Sequence, residues 1–205
     1  EHQLKYMLDS FPVTSIRKII KKKSVISSQP TLPEEFYHLK QSTYALEEEK
    51  ANIAYFGSFY QTRNLEDLFI GLERISEEQR KSINLHIFTA NPSELQSELK
   101  GTILESIVKV NPYVSYPEFL HLTTRFDCLV VNDAKTKGSK DINPYLPSKL
   151  SDYLGSGTDI WGIYEEGSIL SQYDITYKSE LGNMDQAAAV FKKIVMQKKT
   201  SYSLV

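Results

Sequence analysis

Ala51-Asn-Ile-Ala-Tyr-Phe56, followed by Gly57, is the stretch that decides the fold. Its apolar character predicts a buried strand, and Gly57 allows a tight turn directly after it. Apolar residues then recur at i, i+3, i+4, i+7 and i+10, which is typical of an amphipathic helix. These residues are Leu65, Leu68, Phe69, Leu72 and Ile75. A strand that runs straight into a helix is the first half of a β-α-β unit.

The same alternation continues along the rest of the chain. Further strands are predicted at residues 83–88, 106–110, 126–131, 159–163 and 175–178, the last of them at an edge. Helices are predicted at residues 93–100, 116–125 and 184–197, with another after residue 148. The fold class is therefore α/β, a Rossmann-like parallel sheet with helices on both faces. Ligands of such sheets bind beyond the carboxyl ends of the strands, near the point where the strand order reverses.

Composition excludes several classes of protein. The 205 residues are 40% hydrophobic and 24% charged, as in globular proteins, and the net charge of −2 gives no argument for nucleic acid as a partner. The single cysteine, Cys128, cannot form an internal disulfide and lies in an apolar run, so we expect it to be inert. No signal peptide or membrane-spanning run is visible, which favours a cytoplasmic location.

Residues 1–50 form the least domain-like part of the sequence. We expect an N-terminal helix that ends before Pro12, then a linker, with the α/β domain occupying residues 51–205. The chain starts without methionine, as though inside a helix, and we expect it to be a piece of a longer protein. The basic run at residues 18–23 fits a patch that faces anionic lipid or an acidic partner, and it also fits a solvated connection, the plainer interpretation.

Residues 143–157 predict an anion site. Their sequence, Asn-Pro-Tyr-Leu-Pro-Ser-Lys-Leu-Ser-Asp-Tyr-Leu-Gly-Ser-Gly, predicts a loop that enters a helix capped by Ser148 and ended by Gly155 and Gly157. Lys149 in the first turn is unfavourable for the helix itself, because that end carries partial positive charge. A bound anion would remove the conflict, so we expect a phosphate here.

Other candidates follow the strands. Arg63 lies at the mouth of the first helix, where its planar guanidinium can reach a phosphate. Tyr113 and Tyr116 could stack on a nucleobase or simply pack on the sheet. Glu118 and Asp152 could accept hydrogen bonds from ribose or sugar hydroxyls, or only favour a helix start.

The sequence lacks several well-known motifs. It has no G-x-G-x-x-G, no P-loop, no metal-ligand spacing and no Ser/His/Asp arrangement. His86 alternates within a predicted strand, so we expect a packed core histidine there. The basic stretch at residues 135–140 is either a mobile lid over phosphate or a solvated loop.

Four segments, in order along the chain, together carry a resemblance to a known family. They are Tyr55-Phe-Gly-Ser-Phe with Arg63-Asn-Leu, Leu85-His-Ile-Phe, Tyr113-Val-Ser-Tyr-Pro-Glu-Phe-Leu, and Pro147-Ser-Lys-Leu-Ser-Asp-Tyr-Leu-Gly-Ser-Gly-Thr-Asp-Ile. Residues 51–197 resemble the carboxyl-terminal, sugar-donor-binding domain of glycosyltransferases with the two-Rossmann-domain (GT-B) architecture. Within that architecture they are most similar to the retaining family 4.

The chain departs from that family's pattern at four positions. In the family's E-x7-E pattern, Asp152 takes the place of the second acid and Pro144 that of the first. Ser58 stands where the family has an arginine, and Arg63 takes the place of its lysine. We expect Lys149 to compensate for the missing cation. With these departures, the sequence resembles a divergent branch of bacterial surface-polysaccharide or rhamnosyl-type transferases.

The resemblance implies transfer of a sugar from a nucleotide-diphosphate sugar to a polysaccharide, lipid-linked or other glycan acceptor, with no essential metal or other cofactor. It implies that Lys149 and Arg63 are catalytic, since they would stabilise the leaving diphosphate. The implied residues that bind the sugar donor are Gly57, Ser58, Tyr113, Tyr116, Glu118, Asn143, Ser148, Leu150 and Asp152.

The resemblance also sets expectations about partners. The acceptor would be bound largely by an N-terminal domain missing from this sequence, so we expect these residues to bind the sugar donor without transferring sugar alone. Peripheral contact with the inner face of a membrane is a further expectation. Two alternatives remain open: a nucleotide-sugar epimerase of the same architecture, and a non-catalytic domain that docks a partner.

Overall fold

The computed structural model describes residues 1–27 and 29–202, and its centre is a six-stranded sheet. The strands are β1 (Ala51–Phe56), β2 (Ile83–Thr89), β3 (Val108–Pro112), β4 (Cys128–Asn132), β5 (Ile160–Tyr164) and β6 (Tyr177–Glu180). Their order is β3-β2-β1-β4-β5-β6, and every neighbouring pair is parallel. The predicted Rossmann-like sheet is confirmed, with β6 at an edge. The order reverses between β1 and β4, which places the switch point there.

The described residues form eight helices. They are α1 (His2–Asp9), α2 (Thr14–Lys23), α3 (Glu66–Glu73), α4 (Glu77–Lys81), α5 (Pro92–Leu99), α6 (Tyr116–Thr123), α7 (Lys149–Ser156) and α8 (Met184–Tyr202). Short 3₁₀ turns occur at Glu34–His38 and Leu170–Gln172. Residues of α3, α5 and α8 share one buried core, and residues of α6 and α7 share the other. Among the described residues, no helix combines the length and hydrophobicity that crossing a bilayer requires.

Several element boundaries differ from the predicted ones. Strands β3 and β4 each begin two residues later than expected, because turns precede both: Ile107 N–H donates to Leu104 O, and Arg125 N–H to Leu122 O. Helix α4 was not predicted, although its Ser76–Gln79 capping box is a local signal. Of the two glycines predicted to end α7, Gly155 lies inside the helix and Gly157, with φ of 72°, ends it in the left-handed region.

Part of the predicted linker packs on α6 and α7. Tyr37 is buried, and its hydroxyl donates to Asp152 O at 2.7 Å. A Cβ on Gly155 would lie 2.1 Å from the Tyr37 hydroxyl oxygen, so glycine is needed where the two meet. The tyrosine therefore explains a glycine inside α7. The division of the chain at residues 50 and 51 stays a prediction.

His86 is a packed core histidine, as the sequence predicted. One ring nitrogen lies 3.0 Å from Asn52 Oδ1 and the other 2.8 Å from the Tyr44 hydroxyl. Burial, with the charge of Lys109, lowers the pKa of His86 to about 4. The imidazole is therefore neutral near pH 7 and holds residues of the N-terminal segment against β2.

Candidate anion-binding site

A pocket of about 240 Å³ lies at the switch point, beyond the carboxyl ends of β1 and β4. The beginning of α7 also lines the pocket. Six residues that the sequence singled out meet here: Gly57, Ser58, Arg63, Tyr113, Ser148 and Lys149. The structure thus brings together residues that are up to about ninety positions apart in the sequence, as the parallel sheet requires.

The loop after β1 holds Arg63 at the pocket. Tyr60 and Arg63 exchange two backbone hydrogen bonds of 2.8 and 2.7 Å, which close a tight turn. The Arg63 guanidinium carbon lies 5.6 Å from the centre of the Tyr60 ring, in cation–π range. On the other side of the pocket the Ser58 and Tyr113 hydroxyl oxygens are 2.6 Å apart. The turn at Tyr60–Arg63 and the Ser58–Tyr113 hydrogen bond both limit the movement of the loop.

Two cations, Arg63 and Lys149, line the pocket. Among the described residues, no ion pair joins Arg63 or Lys149 to a carboxylate, and no acidic side chain lines the cavity. Burial lowers the pKa of Lys149, and the positive charge of Arg63 lowers it further, while Asp152 opposes both. Buried Arg63 Nε has no hydrogen-bond partner in the described structure. An anion bound between the two side chains would stabilise the partly desolvated Lys149 ammonium and reduce its repulsion by Arg63. It would also accept a hydrogen bond from Arg63 Nε.

Tyr153 adds a buried hydroxyl to the same pocket. Its side chain is 1% exposed, and its hydroxyl has no hydrogen-bond partner of good geometry among the described residues. Burial raises the pKa of Tyr153 well above its usual value, so the hydroxyl stays protonated and can donate. Tyr153 is not among the site residues predicted from the sequence. Its position four residues after Lys149, on the same side of a helix, was the available signal.

Ser148 does not cap α7. Its backbone is already helical, with φ of −60° and ψ of −31°, and its side chain makes no capping hydrogen bond. A capping residue needs an extended backbone to aim its oxygen at the free N–H groups, so the predicted cap is wrong. The Ser148 side chain is instead exposed at the pocket. Gln29 Nε2 donates to its backbone oxygen at 3.2 Å.

Five of the predicted residues that bind the sugar donor lie outside the pocket. Two of them pair with each other: Tyr116 donates to Asp152 Oδ1 at 2.9 Å, and burial with this carboxylate raises the pKa of Tyr116 to about 12. Glu118 accepts from Lys40 Nζ at 2.7 Å and from Ser42 Oγ at 3.0 Å, two residues of the N-terminal segment. Leu150 is buried in the core.

Asn143 is the fifth, and it anchors a loop. Its amide nitrogen donates to Ala134 O and to Glu165 Oε2, each at 3.0 Å. The Glu165 carboxylate accepts in addition from Thr136 N–H, Thr136 Oγ1 and Lys137 N–H. Burial raises the pKa of Glu165, but these hydrogen bonds outweigh it and hold the pKa below its ordinary value. The beginning of the basic loop is therefore tied to β5.

Asp133 lies directly after β4 and is fully buried. Its Oδ2 accepts from Glu165 N–H at 2.9 Å, whereas Oδ1 has no partner in the described structure. Burial raises the pKa of Asp133 to about 6, although Ser168, the Glu165 N–H and the charge of Arg63 all lower it. Elsewhere in the described chain, no three His, Cys, Asp or Glu side chains cluster as metal ligands would.

Comparison of the sequence with known protein families and with curated proteins finds no match. Solved structures do share the fold. A point mutant of TarM of S. aureus, in complex with fondaparinux, α-GlcNAc-glycerol and UDP, aligns with a TM-score of 0.56 and 12% identity over 91% of this chain and 36% of its own. The C-terminal domain of LpcC, a glycosyl transferase group 1 family protein from Francisella tularensis, gives a TM-score of 0.50 and 12% identity over 72% and 76%.

The pneumococcal O-GlcNAc transferase GtfA, in complex with UDP and GlcNAc, gives a TM-score of 0.51 and 10% identity over 75% of this chain and 30% of its own. The chain thus spans about a third of the length of GtfA and TarM. At these identities the likeness concerns the fold. The Rossmann-like sheet matches the domains of GT-B glycosyltransferases, as predicted.

Proposed function

We propose that this chain contains the sugar-donor-binding domain of a glycosyltransferase, and that it holds the diphosphate of a nucleotide-diphosphate sugar between Arg63 and Lys149. The observation that carries the proposal is the pair of partly buried cations at the switch point of the sheet, neither of which forms an ion pair among the described residues. The presence of UDP in the TarM and GtfA structures supports a nucleotide-diphosphate ligand.

The pocket suits the anionic part of such a ligand. At about 240 Å³ it is smaller than the 300–1,000 Å³ typical of sites that enclose a whole drug-sized molecule. The diphosphate would occupy it, with the Tyr153 and Ser148 hydroxyls as further hydrogen-bond donors. Tyr113, half exposed at the rim, offers a ring face on which a nucleobase can stack.

The chemistry requires charge stabilisation where the glycosidic bond breaks. As the sugar leaves, negative charge grows on the diphosphate oxygens, and fixed cations aimed at that position lower the barrier. Arg63 and Lys149 are the groups placed to do so. Because they supply positive charge themselves, we expect diphosphate binding to persist in the presence of EDTA.

For the whole protein we propose a divergent member of the family 4 type that transfers sugar to a glycan acceptor, polysaccharide or lipid-linked. The acceptor would be bound by a further domain, as expected when the chain spans about a third of GtfA and TarM. Residues 1–205 would then bind nucleotide without transferring sugar.

Titration calorimetry with uridine, guanosine and thymidine diphosphates tests the proposal. We expect one of them to bind, its monophosphate to bind more weakly, and Lys149→Ala to weaken diphosphate binding roughly tenfold or more, as loss of a charged hydrogen bond does. Lys192→Ala, which removes an exposed lysine on α8, is the matched control and should bind like the parent.

Two results would contradict the proposal. One is that none of the three diphosphates binds at millimolar concentration to a folded protein. The other is that Lys149→Ala and Lys192→Ala bind equally well.

A further inference from the structure

Helices α1 and α2 form an N-terminal pair that leaves its apolar side chains uncovered. Neither helix has a buried residue. Large apolar side chains are exposed along both of them and the turn between, among them Met7, Phe11, Val13, Ile16 and Ile19, the last 55% exposed. The apolar surface continues past α2, where Val25 is 90% exposed. Isolated exposed apolar residues are ordinary, but a continuous run of them indicates an interaction surface.

Helix α2 is also strongly basic. Its ten residues include Arg17, Lys18 and the three consecutive lysines 21–23, and they include no acid. The whole chain carries a net charge of −2, so the other 195 residues together carry −7. The positive charge is therefore concentrated on the helix that is also apolar.

The two properties lie on different sides of α2. Val13, Ile16 and Ile20 follow one another at intervals of three and four and share a face, with Ile19 beside them. Lys18, Lys21 and Lys22 fall on the opposite side, whereas Lys23, three residues after Ile20, follows the apolar stripe at the end of the helix. A helix with this division, an apolar stripe and a lysine-rich polar face, lies in the plane of a membrane interface. Lysine stems can extend along the stripe while their ammonium groups reach the phosphates.

We propose that α2 docks this chain onto an anionic phospholipid bilayer, with its isoleucine stripe in the headgroup–acyl boundary and its lysines among the headgroups. The positive charge of α2 favours an anionic bilayer over a protein as the binding partner. Interfaces between proteins are depleted in lysine, whereas anionic lipid surfaces attract clusters of basic residues. The proposal does not depend on the proposed function.

The pair of helices is attached beside the candidate site. Tyr6 of α1 lies against the basic loop, with its hydroxyl 2.6 Å from Lys140 Nζ and its ring centre 4.5 Å from the same atom. Bilayer docking would therefore bring the basic loop at residues 135–140 near the membrane surface.

Sedimentation with lipid vesicles tests the docking. We expect the protein to bind phosphatidylcholine vesicles that contain about 30% phosphatidylglycerol and not pure phosphatidylcholine vesicles, with binding weakened above about 0.1 M salt. Changing residues Lys21, Lys22 and Lys23 to Gln should weaken binding roughly 100-fold. The matched control removes the same charge at three other exposed lysines, Lys81, Lys192 and Lys193, and should leave binding unchanged.

A spectroscopic variant tests the depth of insertion. Trp161 is the single tryptophan and is fully buried, so its fluorescence supplies a constant background. Ile19→Trp should show a blue shift with anionic vesicles, and Ile19→Asp should lose vesicle binding while circular dichroism stays that of the parent. The proposal is overturned if the parent ignores anionic vesicles, if both lysine triples bind alike, or if the emission of the Ile19→Trp variant does not move.

Discussion

The carboxyl edge of the sheet holds two centres of buried charge that differ in how they are satisfied. The Glu165 carboxylate accepts hydrogen bonds from Thr136, Lys137 and Asn143. Arg63 and Lys149, across β4, line one pocket without forming an ion pair among the described residues, and Arg63 Nε has no hydrogen-bond partner there. A buried charged group whose hydrogen bonds are all made within the protein stabilises the fold. A buried charged group with an unused hydrogen-bond donor or acceptor is available to bind a ligand.

Asp133 stands between the two centres and shares features of both. One carboxylate oxygen is fixed by the Glu165 N–H, and the other has no partner in the described structure. The comparison therefore predicts that substitutions at Glu165, Asp133 and Lys149 change the free energy of unfolding by different amounts. Removing the satisfied group should cost most, neutralising Asp133 should stabilise the protein, and removing an unsatisfied cation should matter least.

Glu165→Ala should lower the free energy of unfolding by about 3 to 4 kcal/mol, because several buried donors lose one charged acceptor. Urea-induced unfolding measures the loss. Glu166→Ala is the matched control, since that neighbouring carboxylate is exposed and makes only a 3.5 Å pair with Lys137, and it should cause no measurable change. Equal losses of unfolding free energy in Glu165→Ala and Glu166→Ala would show that the buried hydrogen bonds of Glu165 do not stabilise the fold.

Asp133→Asn should raise the free energy of unfolding at pH 7 by about 2 to 3 kcal/mol. The folded-state pKa of Asp133, about 6, lies above its ordinary value of 3.8, so the folded protein holds this proton more tightly than the unfolded chain. The resulting stability is fully present below pH 4 and is lost as pH rises through 6. Unfolding measured from pH 4 to 7 should therefore show a smaller decline in the variant.

Two charged groups face Asp133 and belong to the test. Arg63 opposes the rise in its pKa and Glu165 adds to it, so Arg63→Gln should move the decline to higher pH. An unchanged pH profile in Asp133→Asn would mean that the carboxyl group is ionised in the folded protein throughout this range.

Lys149→Ala should change the free energy of unfolding least, by an increase of no more than about 1 kcal/mol near pH 7. The substitution removes a partly desolvated ammonium that Arg63 repels, and it breaks no ion pair in the described structure. Thermal unfolding beside Lys192→Ala checks this. A clear loss of stability would show that Lys149 is structural, like Glu165.

Much of the fold was predictable because its signals are local. Apolar runs such as β1 and β2 and the glycines and prolines between elements are enough to give an alternating α/β order. The parallel topology then brings loops that follow β1, β3 and β4 to one edge, which explains why Arg63 and Lys149 could be paired from sequence. Boundaries at β3 and β4 were less accurate because turns precede both strands.

Contacts between distant residues place several of the predicted site residues outside the pocket. Glu118 looked available for a ligand, but Lys40, 78 positions earlier, holds it. Asn143 looked like part of the phosphate loop, but Glu165 receives its amide. Tyr153 was not singled out, because no local pattern shows that its hydroxyl would lie buried at the pocket. The N-terminal segment that packs on α6 and α7 has no strong periodicity of its own, so its contacts could not be foreseen.

The fit of Tyr37 against Gly155 has a consequence for this segment. An aromatic side chain that fills a site shaped by the absence of a Cβ, anchored by one hydrogen bond to Asp152 O, binds as the anchor residue of a peptide binds its receptor. A protein trimmed to residues 51–205 should therefore be a receptor with an empty groove. A synthetic peptide of residues 29–50 should restore its stability in trans, and one with Tyr37→Ala should not.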